Sequence, residues 1–139
     1  MATKVNKLVE WMANGEINWE TDVFSFRLSN AASPDMASED ATDIAELTTA
    51  NGYTVGGQTL NVDSAVTTGD TTVLPASASA QTLSWTSTGT LAAYGGWIYD
   101  NTASRPVAYV SFGGQVSKTT GQVLAVYFSA SLAIGTFDA

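Results

Sequence analysis

Short apolar segments at regular spacing constrain the fold of this chain more than any other feature. They recur about every ten residues through the second two-thirds of the sequence, and Ser87-Thr88-Gly89, Asp100-Asn101, Gly113-Gly114 and Thr120-Gly121 separate several of them. Short strands with such turn residues between them are typical of sandwiches and barrels, not of alternating βα units. We therefore predict an all-β fold, an antiparallel β-sandwich of which a jelly roll is one form. The predicted strands are residues 22–29, 58–62, 71–74, 81–86, 91–99, 106–112, 122–129 and 132–137.

The first predicted strand alternates strictly between two kinds of side chain. Phe24, Phe26 and Leu28 share one parity, whereas Val23, Ser25 and Arg27 share the other. Because successive side chains of a strand point to opposite faces, this pattern predicts one buried face and one solvent face.

Residues 1–15 have the spacing of a short amphipathic helix. Val5, Leu8, Val9 and Met12 fall at i, i+3, i+4 and i+7, and Asn14-Gly15 is a helix stop. Trp11 lies beside this stripe and is interpreted as an aromatic residue at the edge of the core.

A second helical element is predicted within residues 30–48. Ser33-Pro34-Asp35 indicates a loop, and residues 39–47 could form one or two helical turns with acids at their start. The whole of 1–139 is interpreted as a single domain, because no solenoid repeat and no long linker divides it.

The composition excludes several kinds of chemistry. The 139 residues contain no cysteine and no histidine, so disulfides, thiolate metal sites and histidine bases are impossible. Thirteen acids against five bases give a net charge of −8, which disfavours nucleic acid and anionic membranes as partners. No secretory signal and no membrane-spanning run is expected.

The charges are concentrated in the first third of the chain. Residues 1–46 carry nine of the acids, and residues 47–139 carry four acids with only Arg105 and Lys118 as bases. A surface so poor in charge favours a chain that works packed into an assembly, although β-sandwiches often share its Ser/Thr-rich composition.

Two residue groups were considered as sites. The first group offers oxygen ligands for calcium and consists of Asp35, Glu39, Asp40 and Asp43. It lacks the D-x-[DN]-x-[DN]-G loop, so a solvated acidic helix start is preferred.

The second group suggests sugar stacking and consists of Trp85, Tyr94, Trp97 and Tyr99. Their strand parity favours core packing instead. A glycosidase needs only two carboxylates, but thirteen acids single out no pair. We predict no catalytic, cofactor-binding or metal residues, no cofactor and no enzymatic activity.

The order of segments resembles a family of small proteins encoded among tailed-phage virion structural genes. The resemblance covers nearly the whole chain. It lies in a Phe-rich strand at 21–29, in Gly52-Tyr53-Thr54-Val55-Gly56-Gly57, and in Tyr99-Asp100-Asn101 followed by Tyr109-x-x-Phe112-Gly113.

This resemblance implies a virion component assembled in the host cytoplasm. The specific expectation is a capsid decoration or cement protein, with the major capsid protein as its partner and self-association into a homo-oligomer. A tail or neck position, or a receptor- or glycan-binding module on a tail or fibre, is the alternative.

Overall fold

The computed structural model describes residues 2–62, 66–68, 71–75, 81–128 and 133–138. These residues form one short helix, α1 (Leu8–Ala13), and ten strands. The strands are β1 (Ala2–Lys4), β2 (Phe24–Ser29), β3 (Gln58–Leu60), β4 (Val66–Thr68), β5 (Thr71–Pro75), β6 (Gln81–Thr86), β7 (Leu91–Asp100), β8 (Arg105–Lys118), β9 (Val123–Phe128) and β10 (Ala133–Asp138). The prediction of an all-β, antiparallel sandwich with a short N-terminal helix is confirmed. Residue 129 of the strand predicted over 122–129 and residue 132 of the strand predicted over 132–137 lie outside the described residues.

A five-stranded antiparallel sheet in the order β1-β8-β7-β2-β3 forms the centre of the fold. Strand β2 is paired on both sides, with Phe26 opposite Ile98 of β7 and Gln58 of β3. Phe24, Phe26 and Leu28 share one face of this sheet, as the sequence predicted, and all three are buried.

The pair β6-β9 packs on that apolar face as a second layer. The Phe26 ring lies 5.0 Å from Phe128 of β9 and 6.5 Å from Trp85 of β6, centroid to centroid. Along the edge of β6 that faces β3, the Gln58 amide donates to the Ser84 carbonyl over 2.6 Å, and Gln81 bonds Asn61 in both directions. Side chains therefore connect the two layers at this edge. A separate sheet, β10-β5-β4, completes the described pairings.

The other face of the five-stranded sheet is also buried, so the predicted solvent face of β2 is wrong. The segment 30–48 covers it and is held by three donors from the sheet. Trp97 Nε1 donates to the Ile44 carbonyl (2.9 Å), Tyr109 Oη to Ala31 (3.0 Å) and Ser29 Oγ to Ile44 (2.9 Å). A small polar residue such as Ser29 can be fully buried here because a carbonyl partner satisfies it.

The N-terminal region differs from the predicted helix over 1–15. Strand β1 pairs with β8 before the helix begins, and α1 spans only Leu8–Ala13. Leu8 and Trp11 face the core, whereas Val9 is 47% exposed. Trp11 is 2% exposed, which confirms its interpretation as a core aromatic residue.

Two further local predictions are corrected. No helix forms within 39–47; the chain makes hydrogen-bonded turns there, with Asp43 N bonded to the Asp40 carbonyl. Gly113-Gly114 does not end a strand, because β8 continues to Lys118. The two glycines instead take positive φ values of 81° and 157° in a stretch where the β7-β8 register shifts.

Candidate functional site

Residues from β2, from Gly52–Gly57 and from the end of β7 meet in a largely buried polar cluster around Arg27, which we call the Arg27 cluster. The guanidinium group donates to Glu46 Oε2 (3.2 Å), Asn101 Oδ1 (2.9 Å) and Ser25 Oγ (3.3 Å). Its Cζ lies 3.9 Å from the centroid of the Tyr99 ring, a cation–π contact. The Arg27 and Glu46 side chains are only 14% and 8% exposed. A buried ion pair of this kind needs several partners to offset desolvation, and the cluster supplies them.

Glu46 extends the cluster to the glycine-rich segment. Its Oε1 accepts from the Tyr53 hydroxyl over 2.6 Å and from Gly56 N over 2.7 Å. The Tyr53 hydroxyl in turn accepts from Leu28 N over 3.2 Å. Burial raises the pKa of Tyr53, and the hydrogen bond to Glu46 raises it further. Tyr53 is therefore a fixed donor and does not act as an acid near neutral pH.

The glycines of this segment allow Tyr53 and Glu46 to come together. Gly57 has a φ of 66°, and a Cβ there would lie 2.0 Å from the Phe26 carbonyl oxygen. Gly52, at a φ of 95°, approaches the Thr86 carbonyl in the same way. These two close approaches connect the segment to β2 and to β6, so the Gly-Tyr-Thr-x-Gly-Gly pattern has a structural origin.

A carboxyl pair lies at the end of β7. Asp100 is fully buried; its Oδ1 accepts from the backbone N of Thr102 (2.9 Å) and Ala103 (3.0 Å). Its Oδ2 has no hydrogen-bond donor among the described residues, and the Asp22 carboxyl is close enough to influence the pKa of Asp100. Burial, and next the hydrogen bond to Asp22, raise the pKa of Asp100 to about 7. Below this pKa, the protonated Asp100 carboxyl can donate to Asp22.

This carboxyl pair offers no obvious reaction centre. Asp22 lines a shallow groove of about 240 Å³ beside β3, together with Trp19 and Phe24. The Trp19 ring stacks on Phe24 at 5.1 Å, and Asp100 is opposite Phe24 in the β2-β7 register. The pair therefore lies against aromatic packing, with Asp100 closed to solvent.

Three of the four acids that are candidate calcium ligands bond within their own loop. Asp35 and Asp40 accept from backbone N two residues ahead, at 2.9 and 2.8 Å, and Asp43 accepts from Glu39 N at 3.0 Å. Glu39 forms an ion pair with Lys7. Within the described ranges, no group of three or more acids is arranged to hold a metal ion.

The aromatic residues considered for sugar stacking are largely in the core. Trp97, Tyr99 and Trp85 are 0%, 3% and 5% exposed, and Tyr94 is half-buried. Trp97 packs edge-on against Tyr109 at 5.2 Å. The core-packing interpretation of Trp85, Trp97 and Tyr99 is confirmed, and these rings present no face to a glycan.

The β6-β9 layer presents an exposed surface without charge, which we call the neutral face. It consists of the outward side chains of Thr82, Ser84 and Thr86 on β6 and of Val123, Ala125 and Tyr127 on β9. Val123 is 48% and Tyr127 68% exposed. The charged residues of the first 46 lie mainly across the sheet from this layer, around α1 and the segment 30–48.

A groove of about 500 Å³ runs along β9 on the side away from β6. One wall is β9 itself, and the other is β8 with Val110, Phe112 and Val116, all partly buried. Of the described residues that line it, Lys118 alone carries a charge. Within the part of the chain that the structure describes, no strand pairs with this edge of β9.

Among the described residues, no helix has the length and apolar character needed to cross a bilayer.

The fold and these surfaces define a β-sandwich with a rigid buried cluster and a neutral outer layer. Comparison with known proteins adds no relative: no family model, no curated protein and no solved structure matches this chain.

Proposed function

We propose that this chain is a non-enzymatic structural protein of a tailed-phage virion, and specifically a capsid decoration protein. The neutral face is the observation that carries the proposal. A chain of net charge −8 keeps all six residue pairs of the β6-β9 ladder free of any charged residue. Desolvating such a face costs less than desolvating charged side chains, so it suits a permanent protein contact.

The distribution of charge supports an orientation on the shell. The neutral face contacts the major capsid protein, and the acidic side around α1 and the segment 30–48 faces solvent. Acidic residues on the outside keep assembled particles dispersed. A decoration protein that binds only the assembled shell stabilises it by mass action.

The Arg27 cluster supports a structural role over a catalytic one. Arg27, Glu46 and Tyr53 are bonded to one another or to neighbouring groups of the protein, and the Arg27 and Glu46 side chains are only 14% and 8% exposed. Such networks fix one conformation of a domain. The resemblance of the sequence to virion structural proteins is consistent with this use.

The test measures binding to purified expanded capsids that lack this protein. Wild-type protein is expected to saturate the shells and to raise the temperature at which they release DNA. Thr82→Glu adds a charge to the neutral face, because Thr82 is exposed on β6. It is expected to weaken binding at least about tenfold, as a desolvated unpaired charge does.

The matched control is Asn6→Glu, which adds the same charge at an exposed position beside α1. It is expected to bind like wild type. Wild-type protein that leaves the shells bare would contradict the decoration role. Equal binding by both variants would contradict the assigned face.

A further inference from the structure

Backbone groups along the outer edge of β9 have no ladder partner among the described residues, and they form a regular row. Ser87 N donates to the Gln122 carbonyl over 2.9 Å, beside a bulge at Gly121, where φ is 85°. Hydrogen-bonded pairs alternate along an antiparallel ladder, so Leu124, Val126 and Phe128 bond to β6. The N–H and C=O groups of Val123, Ala125 and Tyr127 therefore point away from β6, toward the groove.

This edge lacks the features by which proteins protect exposed strands. Such strands usually carry lysine, proline or a bulge within their length. The strand Val123–Phe128 has no charged residue, no proline and no register shift with β6. By contrast, the β1 edge carries Lys4, and Glu20 and Asp22 line the groove beside the β3 edge.

We infer that β9 pairs antiparallel with β9 of a second copy of this chain, on a two-fold axis through Ala125. In this register Ala125 is opposite its own counterpart, and Val123 is opposite Tyr127 of the second copy. All of these residues have edge-directed backbone groups, so each pair exchanges two hydrogen bonds. The layer becomes one continuous sheet in the order β6-β9-β9-β6.

The side chains fit this two-fold arrangement. Ala125 is the smallest of the three outward residues, and it is the one that meets itself at the axis. Val123 against Tyr127 is a β-branched residue beside an aromatic one, which is a favourable cross-strand pair. The pairing places no acid of one copy opposite an acid of the other within β9, although each chain has a charge of −8. A second copy therefore meets no charge repulsion along the paired strands.

The inference concerns the isolated protein and does not depend on the shell-binding proposal. Analytical ultracentrifugation of wild-type protein is expected to give a dimer. Ala125→Lys places two ammonium groups opposite each other at the axis and is expected to weaken the dimer about tenfold or more. Ala125→Ser, which keeps size and N–H, is expected to remain a dimer. Ala125 is exposed, so neither change disturbs the core of the monomer.

A second variant tests the backbone bonds themselves. Ala125→Pro removes the N–H that points to the free edge, and proline is tolerated where that group makes no ladder bond. It is expected to give a folded monomer with an unchanged near-ultraviolet circular dichroism spectrum. A monomeric wild type at high concentration, a trimer, or a dimer unaffected by both Lys and Pro would overturn the inference. The same holds if the wild type is monomeric and Ala125→Lys loses shell binding while Ala125→Ser keeps it. In that case β9 would pair with the shell protein and not with a second copy.

Discussion

The hydroxyl of Tyr53 donates to Glu46 Oε1 over 2.6 Å while accepting from the backbone N of Leu28. One phenol oxygen thus joins the glycine-rich segment, the segment 30–48 and strand β2. Strand β2 is thereby joined, 25 residues along the chain, to a segment in which Glu46 and Tyr53 are seven residues apart.

Tyr53→Phe is expected to lower the free energy of unfolding by about 1–3 kcal/mol, because it leaves buried groups of Glu46 and Leu28 short of a partner. Urea titration followed by tryptophan fluorescence measures this change. The control is Tyr127→Phe at a side chain that is 68% exposed, where the expected change is within about 0.5 kcal/mol. Equal effects of the two substitutions would contradict the role given to Tyr53.

Arg27→Met is expected to destabilise the protein by about 3–5 kcal/mol, because Glu46 keeps a buried charge without its cation. Adding Glu46→Gln to Arg27→Met should recover part of the loss, which a double-mutant cycle measures. Arg105→Met is the comparison. Its partner Glu16 is more exposed, at 38%, and an ion pair of that kind contributes at most about 1 kcal/mol. Arg105→Met also removes a hydrogen bond to the Glu39 carbonyl and a contact with the Trp11 ring, but leaves no buried charge unpaired, so a smaller loss than at Arg27 is expected. Strict additivity at Arg27 and Glu46 would argue against their coupling.

The carboxyl pair predicts a pH dependence of stability. The pKa of Asp100 is raised to about 7, so the folded state holds a proton that the unfolded state has released above about pH 4. The stability that this proton provides is present at acid pH and is lost as the pH rises through 7. Arg105, opposite Asp100 in the β7-β8 register, is engaged with Glu16 and does not neutralise the pair.

Asp100→Asn supplies an amide donor toward Asp22 at every pH and keeps an oxygen for Thr102 and Ala103. At pH 8 this variant is expected to be more stable than wild type by about 1–3 kcal/mol, and at pH 5 the difference should shrink. Thermal unfolding across that range measures it. Asp40→Asn is expected to lower the stability of the protein at neutral pH. Hydrogen bonds from Thr42 lower the pKa of Asp40, so they favour the ionised carboxylate that this variant lacks. If the stability of wild type and of Asp100→Asn changed with pH in the same way, the coupling of Asp100 to Asp22 would be contradicted.

Gly57→Ala and Gly56→Ala separate steric conflict from backbone strain. Both glycines have positive φ, at 66° and 102°, and alanine costs about 1–2 kcal/mol in such a conformation. A Cβ at Gly57 also meets the Phe26 carbonyl, whereas a Cβ at Gly56 has nothing within 4 Å. Gly57→Ala is therefore expected to lose clearly more stability than Gly56→Ala in urea unfolding. Similar losses would mean that the segment can move away from β2.

The sequence predicted most strands because their alternation and turn residues are local signals. The strand at residues 81–86 was predicted with the bounds that β6 has, and Phe24, Phe26 and Leu28 were assigned to a buried face. The prediction of a solvent face for Ser25 and Arg27 failed for a non-local reason. The segment 30–48 covers that face, and polarity alone does not reveal a cover that hydrogen bonds hold in place.

The Arg27 cluster could not be assembled from the sequence. Arg27, Glu46, Tyr53 and Asn101 are far apart in the chain and have ordinary residue types for a surface. The resemblance did mark Gly52–Gly57 and Tyr99-Asp100-Asn101 as characteristic, and these segments meet in or beside the cluster.

The helical turns predicted at 39–47 did not form, for a local reason. Its acids bond the backbone two to four residues away, and such local bonds compete with a helix.

Hydrogen bonds from two glutamine side chains join β3 to β6 and fix one edge of the sandwich. Gln58 and Gln81 hold the layers together along one side, whereas the opposite side opens onto the groove between β8 and β9. Relative motion of the two layers is therefore expected to pivot about this edge and to have its largest amplitude at β9. Pairing of that strand with a neighbour would close the free side and damp the motion of the whole layer.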